Sequence, residues 1–248
     1  MGRAFEDRSE FELDATPEQV WEAIATGPGI DSWFMGRNEV EPGEGGTVRT
    51  AFGGYTPEST VTAWEPLKRF GYHSGEAGDG RFIAYEFLIE GRDKGSTVLR
   101  TVTSGFLPGD DWETEYDAMT KGGAMILRTL VEYLTWFAGR TATPITAFGP
   151  PVTDWERTWM VLHGELGLAG TVTEGDRVRV TPDGLDPIDG VVYFVNPQTL
   201  GVRTSNGLYR FFQGIQGVVV AMHHVFADDV DEAATQEAWR SWLTRTFA

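Results

Sequence analysis

Residues 11–34, FELDATPEQVWEAIATGPGIDSWF, decide the fold. Phe11 and Leu13 alternate with Glu12 and Asp14, the period of a short half-buried strand. Thr16 is a good helix N-cap, Pro17 suits the first helical position, and Glu18 and Gln19 suit the first turn. Val20, Trp21, Ala23 and Ile24 then fall on one apolar face at helical spacing. Gly27-Pro28-Gly29 ends that helix, and Ile30, Trp33 and Phe34 open a second, shorter one.

Beyond residue 38 the period changes to two. Residues 47–52, 59–64, 69–74, 81–90 and 96–104 read as strands, separated by turns at 53–54, 65–66, 75–80 and 91–95. The clearest strand puts Ile83, Tyr85, Phe87 and Ile89 on one face and Phe82, Ala84, Glu86 and Leu88 on the other. A long helix is expected over 110–137, its start crowded with Asp110, Asp111, Glu113 and Glu115, which suit the positive end of the helix dipole. Its apolar stripe runs through Trp112, Tyr116, Met119, Gly123, Ile126, Leu127, Leu130 and Leu134. A strand meander without alternating βαβ units indicates an α+β fold.

Residues 141–151 hold Pro144, Gly149, Pro150 and Pro151 without periodicity and read as a linker. After it the grammar returns in shorter form. A helix is expected over 154–168, strands over 177–181, 190–195, 201–204, 208–213 and 218–226, and a last helix over 231–247. GTVRTAFGGYTPESTV at 46–61 aligns with DRVRVTPDGLDPIDGV at 176–191, sharing Val, Arg, Gly, Pro and Val at one constant offset. Together with the element order, this points to a degenerate duplication. The expected organisation is one domain over 1–140, a linker over 141–151 and a second unit over 152–248.

Composition narrows the function. Apolar residues make up 41% and charged residues 23%, as in ordinary globular domains. The net charge of −17 argues against nucleic acid, whose phosphates require a basic face. There is no cysteine, which removes disulfides, thiolate metal sites and cysteine nucleophiles. The first residues lack a signal-peptide core and no run of about 18 apolar residues occurs. The expectation is therefore a cytoplasmic protein that does not enter a membrane.

The capped helix and the Asp31-Ser32-Trp33-Phe34 segment resemble the opening of the SRPBCC (START-like, helix-grip) superfamily. Within it they look most like the activator of heat-shock-protein-90 ATPase homologue-like branch. The turn Trp64-Glu65-Pro66-Leu67-Lys68-Arg69 and Thr103-Ser104-Gly105-Phe106 before the long helix are similar to that branch as well. The resemblance covers 1–138. It implies an antiparallel sheet wrapped round a long C-terminal helix with a cavity between them, followed here by a shortened second helix-grip-like unit.

On that fold Trp33 and Phe34 would sit at the cavity mouth, Tyr85 and Phe87 on the sheet, and Met119 and Gly123 on the grip helix. Gly122-Gly123 costs the helix about 1 kcal/mol per residue relative to Ala, which close packing or cavity space would explain. The plain alternative is that the aromatics are simply core. Glu86 stands mid-strand among apolar neighbours, and with Arg100 and His73 it supplies the candidate acid–base groups. Adjacent His223 and His224 point to opposite faces of a strand and cannot chelate together, and no metal-ligand spacing occurs elsewhere. Neither a metal nor a cofactor is expected.

The leading expectation is a binding protein for a small apolar or aromatic molecule. The alternatives are an aromatase/cyclase-like or hydrolytic enzyme and a chaperone-activator-like module with a protein partner.

Overall fold

The computed structural model describes residues 2–247 apart from 93–94, 111, 169 and 215–216, with backbone only at 114 and 118. Asp111 of the acidic helix start and part of the 91–95 turn therefore lie outside the described residues. The chain divides into two units, Met1–Thr141 and Ala142–Ala248.

In the first unit, β1 (Arg3–Leu13) leads into α1 (Pro17–Ala25). Thr16 and Gln19 form a capping box: Gln19 N donates to Thr16 Oγ1 (3.3 Å) and Thr16 N donates to Gln19 Oε1 (2.9 Å). Thr26 caps the short α2 (Gly27–Ile30), its Oγ1 accepting from Gly29 N at 3.0 Å. A side chain at Gly27 would strike the Asn38 carbonyl, and one at Gly29 the Glu22 carbonyl. The Gly-Pro-Gly break is thus set by close backbone approach, which only glycine permits.

The strands β2 (Arg37–Val40), β3 (Thr47–Ala51), β4 (Glu58–Glu65), β5 (Arg69–His73), β6 (Phe82–Gly91) and β7 (Thr97–Leu107) follow. They form one antiparallel seven-stranded sheet in the order β1-β7-β6-β5-β4-β3-β2. The 25-residue helix α3 (Trp112–Trp136) closes the unit and meets β1 and β7. The first strand pairs with the last, and the rest meander back from it.

The second unit repeats this plan with one strand fewer. It comprises β8 (Thr143–Pro151), α4 (Trp155–Glu165), β9 (Arg177–Val180), β10 (Ile188–Asn196), β11 (Thr199–Arg203), β12 (Gly207–Gln213), β13 (Val218–Val225) and α5 (Glu232–Phe247). The sheet order is β8-β13-β12-β11-β10-β9. The two stretches aligned by sequence are the hairpins β3–β4 and β9–β10, at matching places in the two sheets. The fold is α+β.

One expectation is corrected here. Residues 141–151 are not a linker: Thr143–Pro151 is β8, paired along β13. It is an edge strand, where prolines are tolerated because one side of the ladder is left unpaired. β2 and the charged first half of β1 also escaped the sequence reading.

Candidate functional site

Alternation and register define the inner face of the first sheet. Phe34 packs on Tyr85 (6.2 Å between ring centroids) and Trp33 on Phe87 (6.3 Å), so the Ile83/Tyr85/Phe87/Ile89 face of β6 looks inward. On β1 the same face carries Phe5, Asp7, Ser9 and Phe11. Tyr116 of α3 reaches it there, donating from Oη to Asp7 Oδ1 at 2.6 Å and packing on Phe5.

Trp33 and Phe34 are held deeper than expected. Both are buried, at 2% and 8% exposure, and Trp33 Nε1 donates to the Ala23 carbonyl at the end of α1 (2.8 Å). They are therefore a packed wall rather than an exposed mouth. The turn that carries them is fixed by buried Asp31, whose carboxylate accepts from Asn38 N (2.6 Å), Asn38 Nδ2 (3.1 Å) and Arg37 Nη1 (3.0 Å). Desolvation raises the Asp31 pKa, and the hydrogen bonds from Asn38 oppose that shift.

The helix side is looser. In α3, Met119 and Gly123 lie on the stripe that Tyr116 directs at the sheet, since residues three and four apart share a helix face. Both are half-buried, and a side chain built at Gly122 or Gly123 would meet no atom within 4 Å. Close packing therefore does not account for the glycine pair. The C-terminal half of α3 differs, with Met125, Leu130, Tyr133 and Leu134 all buried.

From Asp7, which Tyr116 of this helix reaches, one row crosses four strands in register: Asp7 to Thr103, Thr103 to Tyr85, and Tyr85 to Tyr72. The Tyr72 and Tyr85 rings lie 5.2 Å apart, tilted by 36°. Among the described residues neither hydroxyl has a hydrogen-bond partner. Burial raises both phenol pKa values, so both stay protonated near neutrality. Tyr72 is 6% exposed, whereas Tyr85 keeps accessible surface on the inner face. Neither hydroxyl is among the fully buried unpartnered atoms, so each keeps accessible surface of its own.

Tyr85 and Phe87 were legible from alternation. Tyr72, Thr103 and Asp7 were not, because only inter-strand register reveals the row.

The acid–base candidates do not converge. Glu86 points to the outer face and pairs with Arg69 (Nη2 to Oε2, 2.5 Å), not with Arg100. Arg100 pairs with Glu10 (2.6 Å) and Glu90 (2.8 Å) on that same outer face. His73 is opposite Ala84, also on the outer face, and its Nδ1 accepts from Gly75 N at 2.8 Å. The physical reason is strand alternation, which turns each of these side chains away from Tyr85.

The second sheet has a filled interior. Phe211, Trp239, Trp242 and His223 are buried together, with His223 and Trp239 rings 4.5 Å apart. His223 Nδ1 accepts from Arg210 N (3.2 Å), while among the described residues Nε2 has no partner, as is also true of Trp242 Nε1. Desolvation, reinforced by Arg210, lowers the His223 pKa to about 3. His224 faces the other way and meets buried Arg210, whose pKa desolvation lowers to about 10. Adjacent histidines on opposite faces are as the strand period requires. A shallow groove on α5 is lined by Glu237, Arg240, Ser241, Thr244 and Arg245, several of which already bond one another along the helix.

A sheet whose first strand closes on its last, opposed by a long C-terminal helix across an inner face, defines the first unit as a helix-grip domain. Residues 14–135 match the family described as Activator of Hsp90 ATPase homolog 1-like protein, and the first unit belongs to it. Among similar solved structures is protein MLL2253 from Mesorhizobium loti, at 23% identity and TM-score 0.45, covering 52% of this chain and 96% of that one. The Aha1 dimer from Colwellia psychrerythraea is 24% identical, with TM-score 0.41, covering 52% of this chain and 96% of that one. DynU16, a protein of the dynemicin biosynthetic locus, is 19% identical, with TM-score 0.45, covering 98% of this chain and 95% of that one. No curated protein sequence matches the chain. Among the described residues no helix is long and apolar enough to cross a membrane.

Proposed function

We propose that the first unit binds a small apolar or aromatic molecule between its sheet and α3. The observation that carries this reading is the open space beside Gly123, on the stripe of α3 whose Tyr116 packs on half-buried Phe5 and bonds Asp7 of the row. Apolar walls with a few polar groups are the usual make-up of such sites. Trp33, Phe34 and Phe87 form the wall, Met119 is an adaptable neighbour, and the Tyr72–Asp7 row is the polar part.

A cyclase-like or hydrolytic role would require acid–base groups converging on the interior, and Glu86, Arg100 and His73 lie outside it. A chaperone-activator-like module would present one large apolar surface. Among the described residues the exposed large apolar side chains are Tyr55 and Leu67 in turns, Trp136 at the end of α3 and Met160 in α4, not one surface of a single element. The second unit is read as a shortened copy of the first with its interior filled.

The test is thermal unfolding against a panel of lipids and aromatic metabolites, with Gly123→Leu as the filled-cavity control. A true ligand at a hundred times its Kd stabilises the unit by about 2.7 kcal/mol, and the shift is lost in the control. A shift that persists in Gly123→Leu, or no shift with any member, sinks the reading.

A further inference from the structure

Tyr72 and Tyr85 stand side by side on β5 and β6 in an aromatic box, with Phe34 against the Tyr85 ring, Phe70 against the Tyr72 ring and Phe87 stacked on Phe70. Each carries a protonated hydroxyl with no partner among the described residues. Tyr72 is more than nine-tenths buried. At the far end of the same row, Asp7 is already engaged by Tyr116. The row therefore has an acidic end bonded by Tyr116 and a donor end without a protein partner among the described residues, and the α3 stripe that carries Tyr116 has open space at Gly123.

From this we propose that Tyr72 and Tyr85 form a paired donor site for the carbonyl oxygen of an uncharged, planar, ring-bearing ligand. The proposal rests on the cavity reading above and deepens it. Two adjacent O–H donors match the two lone pairs of one carbonyl oxygen. The aromatic box accepts flat rings edge-on or offset. Asp7 on the row and the net charge of −17 disfavour a carboxylate, which leaves a neutral ketone or quinone-like oxygen as the fitting acceptor. The site selects by rejection as well: a ligand without the oxygen leaves both phenols unsatisfied.

The test uses 9-fluorenone and fluorene, planar tricycles differing by C=O against CH2, titrated into the full chain by calorimetry. The ratio of their affinities in the wild type should fall about tenfold in the Tyr72→Phe/Tyr85→Phe double variant, through loss of fluorenone binding with fluorene binding kept. The carbonyl stretch of 13C-labelled fluorenone, read by isotope-edited infrared spectroscopy on the wild type, should shift to the frequency of a doubly hydrogen-bonded ketone; this readout does not depend on the variant folding. An unchanged ratio, or a carbonyl stretch at its apolar-solvent position, overturns the donor pair and leaves the cavity standing. Binding of neither tricycle overturns both.

Discussion

The two sheets share one plan and differ in what lies beneath it. In each, the first strand pairs with the last and the others meander back towards an edge hairpin. Under the second sheet, Phe211, Trp239, Trp242 and Leu243 are 0–4% exposed, and α5 has no glycine. Under the first, α3 presents Gly122-Gly123 to empty space, and the inner residues Phe5, Ser9, Tyr85 and Thr103 are only half-buried. Strand order alone does not set how tightly the inner face is packed; the side chains on the closing helix do.

The comparison can be broken by substitution. Trp242→Ala should cost the second unit about 3–5 kcal/mol in urea unfolding, because a close-packed interior cannot collapse around so large a loss. Gly123→Leu in the first unit should leave unfolding within about 1 kcal/mol of wild type, since it enters open space. A comparable cost in both would erase the distinction.

Acid should separate the units next. His223 titrates at about 3 in the folded chain and near its ordinary 6.5 when unfolded. Between those values the unfolded chain binds the extra proton, so stability is complete above 6.5 and declines as pH falls towards 3. The slope approaches about 1.4 kcal/mol per pH unit. The groups around the ring are Tyr209 and Phe211 on β12, Trp239 on α5, and Arg210, which adds to the depression. Among the described residues no carboxylate is one of them. His223→Gln should flatten this component when second-unit unfolding is followed by tryptophan fluorescence across pH; an unaltered slope would remove His223 as its source.

Smaller effects sharpen the first unit. Gly122→Ala and Gly123→Ala should each raise its thermal stability by up to about 1 kcal/mol, because helix propensity improves with nothing to strike. Destabilisation by either would mean the space is not there. Smallest of all, Glu86→Gln should change stability by less than about 1 kcal/mol, as partly exposed ion pairs do, and leave ligand-induced melting shifts intact. A lost shift would return Glu86 to the site.

Much of the architecture was legible in the chain. Thr16, Pro17 and Gln19 spelled a capped helix, Gly27-Pro28-Gly29 spelled its break, and alternation located β3 to β7 within a few residues. The failures have physical causes. β8 was hidden by Pro144, Pro150 and Pro151, which an edge strand tolerates. β2 is four residues, Arg-Asn-Glu-Val, too short and polar to show a period. The first half of β1 alternates, but its inward residues include Asp7 and Ser9, so no apolar rhythm marks it. For the site, one strand's pattern was enough to place Tyr85 and Phe87 on a shared face. Grouping Tyr72, Thr103 and Asp7 with them needed the pairing of strands distant in sequence, which local pattern does not contain. Glu86 misled because a charged residue between apolar neighbours looks exceptional until both faces of the strand are assigned.

The pairing of β1 with β7 also has a consequence in time. Contacts between segments at opposite ends of a unit close the largest loop and so carry the largest entropic barrier to forming. Asp7 joins Thr103 only through that pairing, and Tyr116 reaches Asp7 only afterwards. During synthesis β1 must wait, unpaired, until β7 has left the ribosome. Its alternating charges at Arg3, Glu6, Arg8, Glu10 and Glu12 keep such an edge from pairing with another chain in the interval. The Tyr72–Asp7 row is thus completed only when the two ends of the unit meet, so half-made molecules carry only part of it.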